Sequence, residues 1–146
     1  MIYEDVALII KRDVGNGITE RLWIVKALNG DYFTKLEYYR EGNKSIQKIS
    51  ENEIEYFKFI QECLKLFRNY KIEEGEIIIY GITFKPFERT ISFNDGSEIN
   101  IGELTLNELK LLNALIKLRL LGVIDKLNAE IFRKQIKIIK SIEEVI

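Results

Sequence analysis

Histidine is absent from this sequence, and cysteine, proline, methionine and tryptophan occur once each. Each scarcity excludes something. Without histidine the commonest general base and metal ligand is missing, and one cysteine among carboxylates is an implausible zinc set. The lone Cys63 has no partner for an internal disulfide, and its neighbours Phe59, Ile60, Leu64 and Phe67 mark it as a buried apolar filler. No apolar run approaches the roughly 20 residues of a membrane helix. The opening residues Met1-Ile2-Tyr3-Glu4-Asp5 carry neither the basic region nor the apolar core of a signal peptide, so a cytoplasmic location is expected. The Walker-type phosphate loop, the dinucleotide-binding glycine fingerprint and the nucleophile elbow are missing too. These absences predict a non-enzymatic protein with no catalytic residue, no metal and no cofactor. A carboxylate-dependent enzyme is the least supported alternative.

Charge of one sign is also lacking. The net charge is −1, from 22 Lys/Arg and 23 Asp/Glu, whereas a domain that grips duplex DNA shows a clear basic excess. The one basic stretch lies between Lys117 and Lys140, where Lys117, Arg119, Lys126, Arg133, Lys134, Lys137 and Lys140 face only Asp125 and Glu130. What is present is a globular composition, 47% hydrophobic and 31% charged over 146 residues, enough for one self-sufficient core. The abundance of lysine and glutamate resembles a thermophile's composition, although AT-rich coding DNA produces the same bias.

Hydrophobic periodicity predicts an α+β fold in a single domain, 1–146. Residues 1–49 read as an antiparallel β-meander, with strands over 3–12, 18–28, 31–41 and 44–49 and turn signals at Asn29-Gly30 and Gly42-Asn43. The period then changes to 3.6 for a packing helix over 50–70, opened by a capping box from Ser50 to Glu53. A second β segment spans 76–101, with one strand over 76–84, a bend or edge at Pro86, and a hairpin signal at Asn94-Asp95-Gly96-Ser97. Two C-terminal helices complete the chain over 104–146. The first has a capping box from Thr105 to Glu108 and Gly122 just past its end.

The first hairpin permits an assignment of faces. A two-residue Asn29-Gly30 loop sets Leu28 opposite Asp31 and Ala27 opposite Tyr32. Trp23, Val25, Ala27, Tyr32, Thr34, Leu36 and Tyr38 then form a core face, with Arg21 at its margin. Glu20, Leu22, Ile24, Lys26, Phe33, Lys35, Glu37, Tyr39, Ile46 and Lys48 form a mixed face. Rings beside lysines suit single-stranded nucleic acid, where aromatics stack on bases and cations follow phosphates. A helix lying over the apolar centre of that face is the competing explanation. The Phe84-Lys85-Pro86-Phe87-Glu88-Arg89 cluster reads as a blunted strand edge.

The leading expectation is a binding protein for single-stranded or irregular nucleic acid, acting as a homodimer. Lys26, Phe33, Lys35, Tyr39 and Lys48 are its contacts on the meander, and Arg133, Lys137 and Lys140 its secondary phosphate contacts. The alternative is a protein-interaction or assembly module that uses the apolar meander face or the C-terminal helices.

Overall fold

The computed structural model describes residues 2–50 and 52–145, with backbone alone at 48 and 49. The α+β architecture is present, as two antiparallel sheets and three helices. Strands β1 (Tyr3–Gly15), β2 (Ile18–Ala27), β3 (Tyr32–Arg40) and β4 (Asn43–Ile49) form the first sheet in sequence order. Two of its turns are of the type that needs left-handed backbone at both central residues: Asn16-Gly17 (φ 55° and 73°) and Glu41-Gly42 (φ 48° and 85°). The latter lies one residue earlier than the sequence suggests. It pairs Tyr39 with Lys44 and Glu37 with Ile46, a shift of two positions that leaves the face of each side chain unchanged.

The β2–β3 turn departs from expectation more consequentially. Only Gly30 is left-handed there, at φ 91°. Its N–H donates to the Ala27 carbonyl (3.0 Å), and the Ala27 N–H donates to the Asp31 carbonyl (2.8 Å). This is a three-residue loop with a glycine bulge. Asn29 favours it by accepting from the Asp31 N–H at 3.0 Å and donating to the Asp31 carboxylate at 2.9 Å. The extra loop residue moves the register by one, so that Val25 pairs with Phe33, Trp23 with Lys35 and Leu22 with Leu36. A one-residue slip exchanges the faces of one strand relative to the other. The expected core and mixed faces are therefore each half right: β2 keeps its two sets, and β3 swaps its own.

Helix α1 (Asn52–Leu66) follows. Its expected capping box does not form with Glu53, whose carboxylate turns instead to Arg89 Nη1 at 2.8 Å. The second sheet has five strands: β5 (Tyr70–Glu73), β6 (Glu76–Ile79), β7 (Ile82–Lys85), β8 (Thr90–Ser92) and β9 (Glu98–Asn100). The single strand expected over 76–84 is folded in two at Tyr80-Gly81 (φ 46° and 81°), and Glu74-Gly75 creates a further strand, β5. Gly81 is required there twice over, since a Cβ would meet the Asn94 side chain at 2.1 Å. The Phe84–Arg89 cluster is no edge, because β7 pairs on both sides with β6 and β8. Helix α2 (Leu106–Leu120) has the expected reciprocal cap between Thr105 and Glu108. It ends with Gly122 at φ 77° and a bond from Val123 N to Leu118 O of 2.9 Å. Helix α3 (Ala129–Val145) begins with the Asn128 side chain accepting from the Ile131 N–H at 2.8 Å.

Helix α1 is the centre of the protein. Its fully buried Tyr56, Phe57 and Ile60 join Ile10, Leu22 and Ile24 of the first sheet, Ile77, Ile79, Phe84 and Ile91 of the second, and Leu109, Leu112 and Ile116 of α2 in one apolar cluster. The buried Tyr56 hydroxyl donates to the Thr90 carbonyl at 2.8 Å. Helix α1 packs on the Leu22–Ile24 face of the first sheet, and among the described residues no helix makes a comparable contact with the opposite face.

Candidate interaction surfaces

The open face of the first sheet gathers Tyr3 and Asp5 from β1, Arg21, Trp23 and Val25 from β2, Phe33, Lys35, Glu37 and Tyr39 from β3, and Ile46 from β4. Its central charges pair with one another. The Lys35 ammonium lies 2.8 Å from Asp5 and 3.2 Å from Glu37, and Arg21 lies 3.5 Å from Glu37. Burial pulls the Lys35 ammonium down, but bonds to Asp5 and Glu37 outweigh that and leave it above its ordinary value. The ring faces are occupied as well: Lys35 sits 5.3 Å from the Trp23 centroid and Arg21 4.9 Å from that of Tyr39. Tyr3 and Phe33 pack edge to face at 5.9 Å. A recess of about 200 Å³ remains between Tyr3, Val25, Phe33, Lys35 and Ile46. Glu37, 2% exposed, and the buried Trp23 indole N–H each leave one polar atom without a hydrogen bond.

The sites expected from sequence separate on this framework. Phe33, Lys35 and Tyr39 share the open face. The side chain of Lys48 lies outside the described residues, although its backbone pairs with Lys35. Lys26 is on the other face, where its ammonium lies 5.7 Å from the Tyr32 ring and the α1 residue Lys58 lies 4.7 Å from the same ring. On α3, Arg133 donates to the Glu98 carbonyl at 3.2 Å, tying the helix to β9, and Lys140 lies 3.8 Å from Glu108 at the start of α2. Lys137 is exposed beside Ile138 and Ser141. Cations of the Phe84–Arg89 cluster are also engaged, Lys85 with Glu98 at 2.9 Å and Arg89 with Glu53 at 2.8 Å. Arg12 bonds both Glu20 and Glu88 and lies 4.1 Å from the Phe87 centroid.

The surface least satisfied by its own chain is on α3. Phe132, Ile136 and Ala129 anchor that helix against the core, while Ile138, Ile142 and Val145 are 53%, 53% and 86% exposed. With Gln135 they form a stripe at spacings of three, four and three, turned by about 100° from Phe132 at 3.6 residues per turn. The helix divides along its length: Ala129, Ile131, Phe132 and Ile136 pack toward the core, whereas Ile138, Ile139, Ile142 and Val145 are exposed.

The other chemistry-bearing groups are quiet. Cys63 is buried, and loss of solvation, with the charge of Glu62, pushes its thiol up to about 12, the profile of an unreactive cysteine. Among the described residues no group of three or more His, Cys, Asp or Glu side chains is placed to hold a metal ion, and no helix is long and apolar enough to cross a membrane. The chain matches no protein-family model, no curated protein and no solved structure. What the fold defines is a class: an α+β protein of two antiparallel sheets and three helices.

Proposed function

We propose that this is a non-enzymatic interaction module whose contact surface is the uncovered apolar stripe of α3. The observation that carries the reading is the exposure of Ile138, Ile142 and Val145 on a helix anchored to the core at its start through Ala129, Phe132 and Ile136. An apolar stripe left in water is unfavourable by roughly 25 cal/mol per Å², and contiguous patches of this kind mark protein contacts. The test separates a contact surface from a piece of core. In dilute solution, Ile138→Glu with Ile142→Glu leaves the thermal midpoint within a few degrees of wild type and lowers binding of an apolar fluorescent dye to the native protein. A midpoint drop of about 10 °C, the signature of several kcal/mol, shows that the stripe is core and defeats the reading.

A second reading, single-stranded nucleic acid, is favoured by one place. Tyr32 is 38% exposed, and Lys26 and Lys58 lie over its ring with no ion-pair partner among the described residues. Stacking on Tyr32 with phosphates at both lysines predicts binding of a labelled oligonucleotide that weakens steeply with salt. Lys26→Ala reduces the log–log salt slope by about 1. No polarisation change at low salt with micromolar protein overturns this reading.

A further inference from the structure

We infer that the recess between the β6–β7 turn, the β8–β9 turn and the α2–α3 connection binds a free α-amino acid with an apolar side chain, its carboxylate on Arg119 and its ammonium on Asp125. The site is separate from the α3 stripe and adds a small-molecule ligand to the interaction module.

The recess has a volume of about 240 Å³ and a lining of two kinds. Ile82, Phe93 and Leu127, all buried, form its apolar part. Arg119, Lys126, Asp95 and Asp125 bring two charges of each sign. Opposite charges around one small recess gain by closing into ion pairs, yet none of these four is in an ion pair among the described residues. Asp95 is held in another way. The Ser97 hydroxyl and N–H donate to its carboxylate at 2.6 and 3.0 Å, and these bonds keep its carboxyl below the ordinary value. Arg119, Lys126 and Asp125 have no side-chain hydrogen bond among the described residues.

Arg119 stands where the buried stripe of α2 calls for an apolar residue. Leu109, Leu112 and Ile116 are fully buried at spacings of three and four, and Arg119 lies three residues further on the same face. A half-buried guanidinium gains most from a carboxylate that fills its planar fork with two parallel hydrogen bonds.

Tyr80 is a second anomaly on the same lining. It holds the first central position of a two-residue turn at φ 46°, where glycine, asparagine and aspartate are favoured. Strain of this kind at a bulky residue clusters at ligand sites. Its exposed ring offers a wall to an apolar side chain. At the next position, Gly81 leaves the space that the Asn94 side chain fills, which holds the two turns together.

Size and charge select the class of ligand. The volume lies below the roughly 300 Å³ at which pockets for drug-sized ligands begin. A phosphate or nucleotide would set its negative charge against Asp95 and Asp125, whereas a zwitterion meets both signs and leaves the lining neutral.

Thermal melts of the full chain with leucine, methionine, phenylalanine, aspartate or lysine, each at about 10 mM, test the inference. The first three should raise the midpoint by about 2 °C or more, and the charged two should not. Calorimetry then compares the best of them with its N-acetyl and amide derivatives, which each lack one charge and should bind at least about tenfold more weakly. Arg119→Met keeps the apolar stem and removes the fork. It should weaken binding by a similar factor without lowering the midpoint of the ligand-free protein. Tyr80→Asn places a favoured residue in the turn, so it should keep or raise that midpoint while binding weakens. No midpoint rise with any of the five overturns the proposal. Equal binding of the N-acetyl derivative overturns the zwitterion as the ligand class. Binding undiminished in Arg119→Met overturns the recess as its site.

Discussion

The open face of the first sheet and the outer stripe of α3 are both mixtures of apolar and charged groups, yet they differ in what they still need. At the centre of the sheet the two cations have acids and each lies over a ring: Lys35 with Asp5, Glu37 and Trp23, and Arg21 with Glu37 and Tyr39. A base or phosphate arriving there would have to displace these partners. On α3, Ile138, Ile142 and Val145 are exposed and share a shallow recess with Lys137 and Ser141. Residue types alone do not mark a binding surface. Unmet interactions do, and they favour the helix over the sheet.

The largest effect that would break this contrast is on the sheet. Glu37→Ala removes a buried carboxylate from between Arg21 and Lys35, and is expected to destabilise the fold by about 3 kcal/mol. Glu73→Ala, which breaks the exposed pair with Lys71 (2.7 Å), should change stability by less than about 1 kcal/mol. Urea denaturation of the two variants measures the difference, and similar small losses in both would mean that the sheet face is as loosely held as any surface.

The next effect concerns salt. Association through the α3 stripe is mainly apolar, so raising sodium chloride from 0.05 to 0.5 M, about a tenfold change that shortens the screening length roughly threefold, should move its dissociation constant by less than about fivefold. A change of a hundredfold or more would shift the weight to the flanking lysines and glutamates.

The smallest effect is at Glu53, a buried acid with one arginine where Glu37 has two cations. Burial raises the Glu53 carboxyl above its ordinary value, and the bond to Arg89 only partly offsets this. The folded state therefore holds the proton more tightly than the unfolded chain. Stability from this group is full below the ordinary carboxylate range and is lost as pH rises through the raised folded value. Glu53→Gln should be slightly more stable than wild type at pH 7 and lose that advantage by about pH 4 (melts at the two pH values, with reference carboxylates near 4.3). A variant less stable at pH 7 would show that the Arg89 pair outweighs burial.

Several elements were legible because their signals are local. The Thr105–Glu108 cap, the Gly122 terminus and the Asn94–Ser97 hairpin each depend on a few adjacent residues and appear where expected. The failures were also local in origin and larger in consequence. Tyr80-Gly81 looked like part of a β-branched run, and Tyr80 is not a residue that advertises left-handed backbone. At Asn29-Gly30 two turn geometries were compatible with the same dipeptide, and the choice between them reassigned Phe33, Lys35, Glu37 and Tyr39 to the face of Trp23 and Arg21. Cys63 was read correctly, because its apolar neighbours recur at helical spacing on the buried side of α1.

By itself, then, the sequence determined the class of fold, the α1 and C-terminal helices with the caps of α2, most of the core and the absence of histidine chemistry. These follow from composition and periodicity, which act over a few residues. Only the tertiary structure decided which surfaces remain unsatisfied. A lysine in the sequence is a free cation until a distant carboxylate such as Asp5 is folded against it, and an isoleucine on an amphipathic helix is core until the neighbouring elements prove too narrow to cover it.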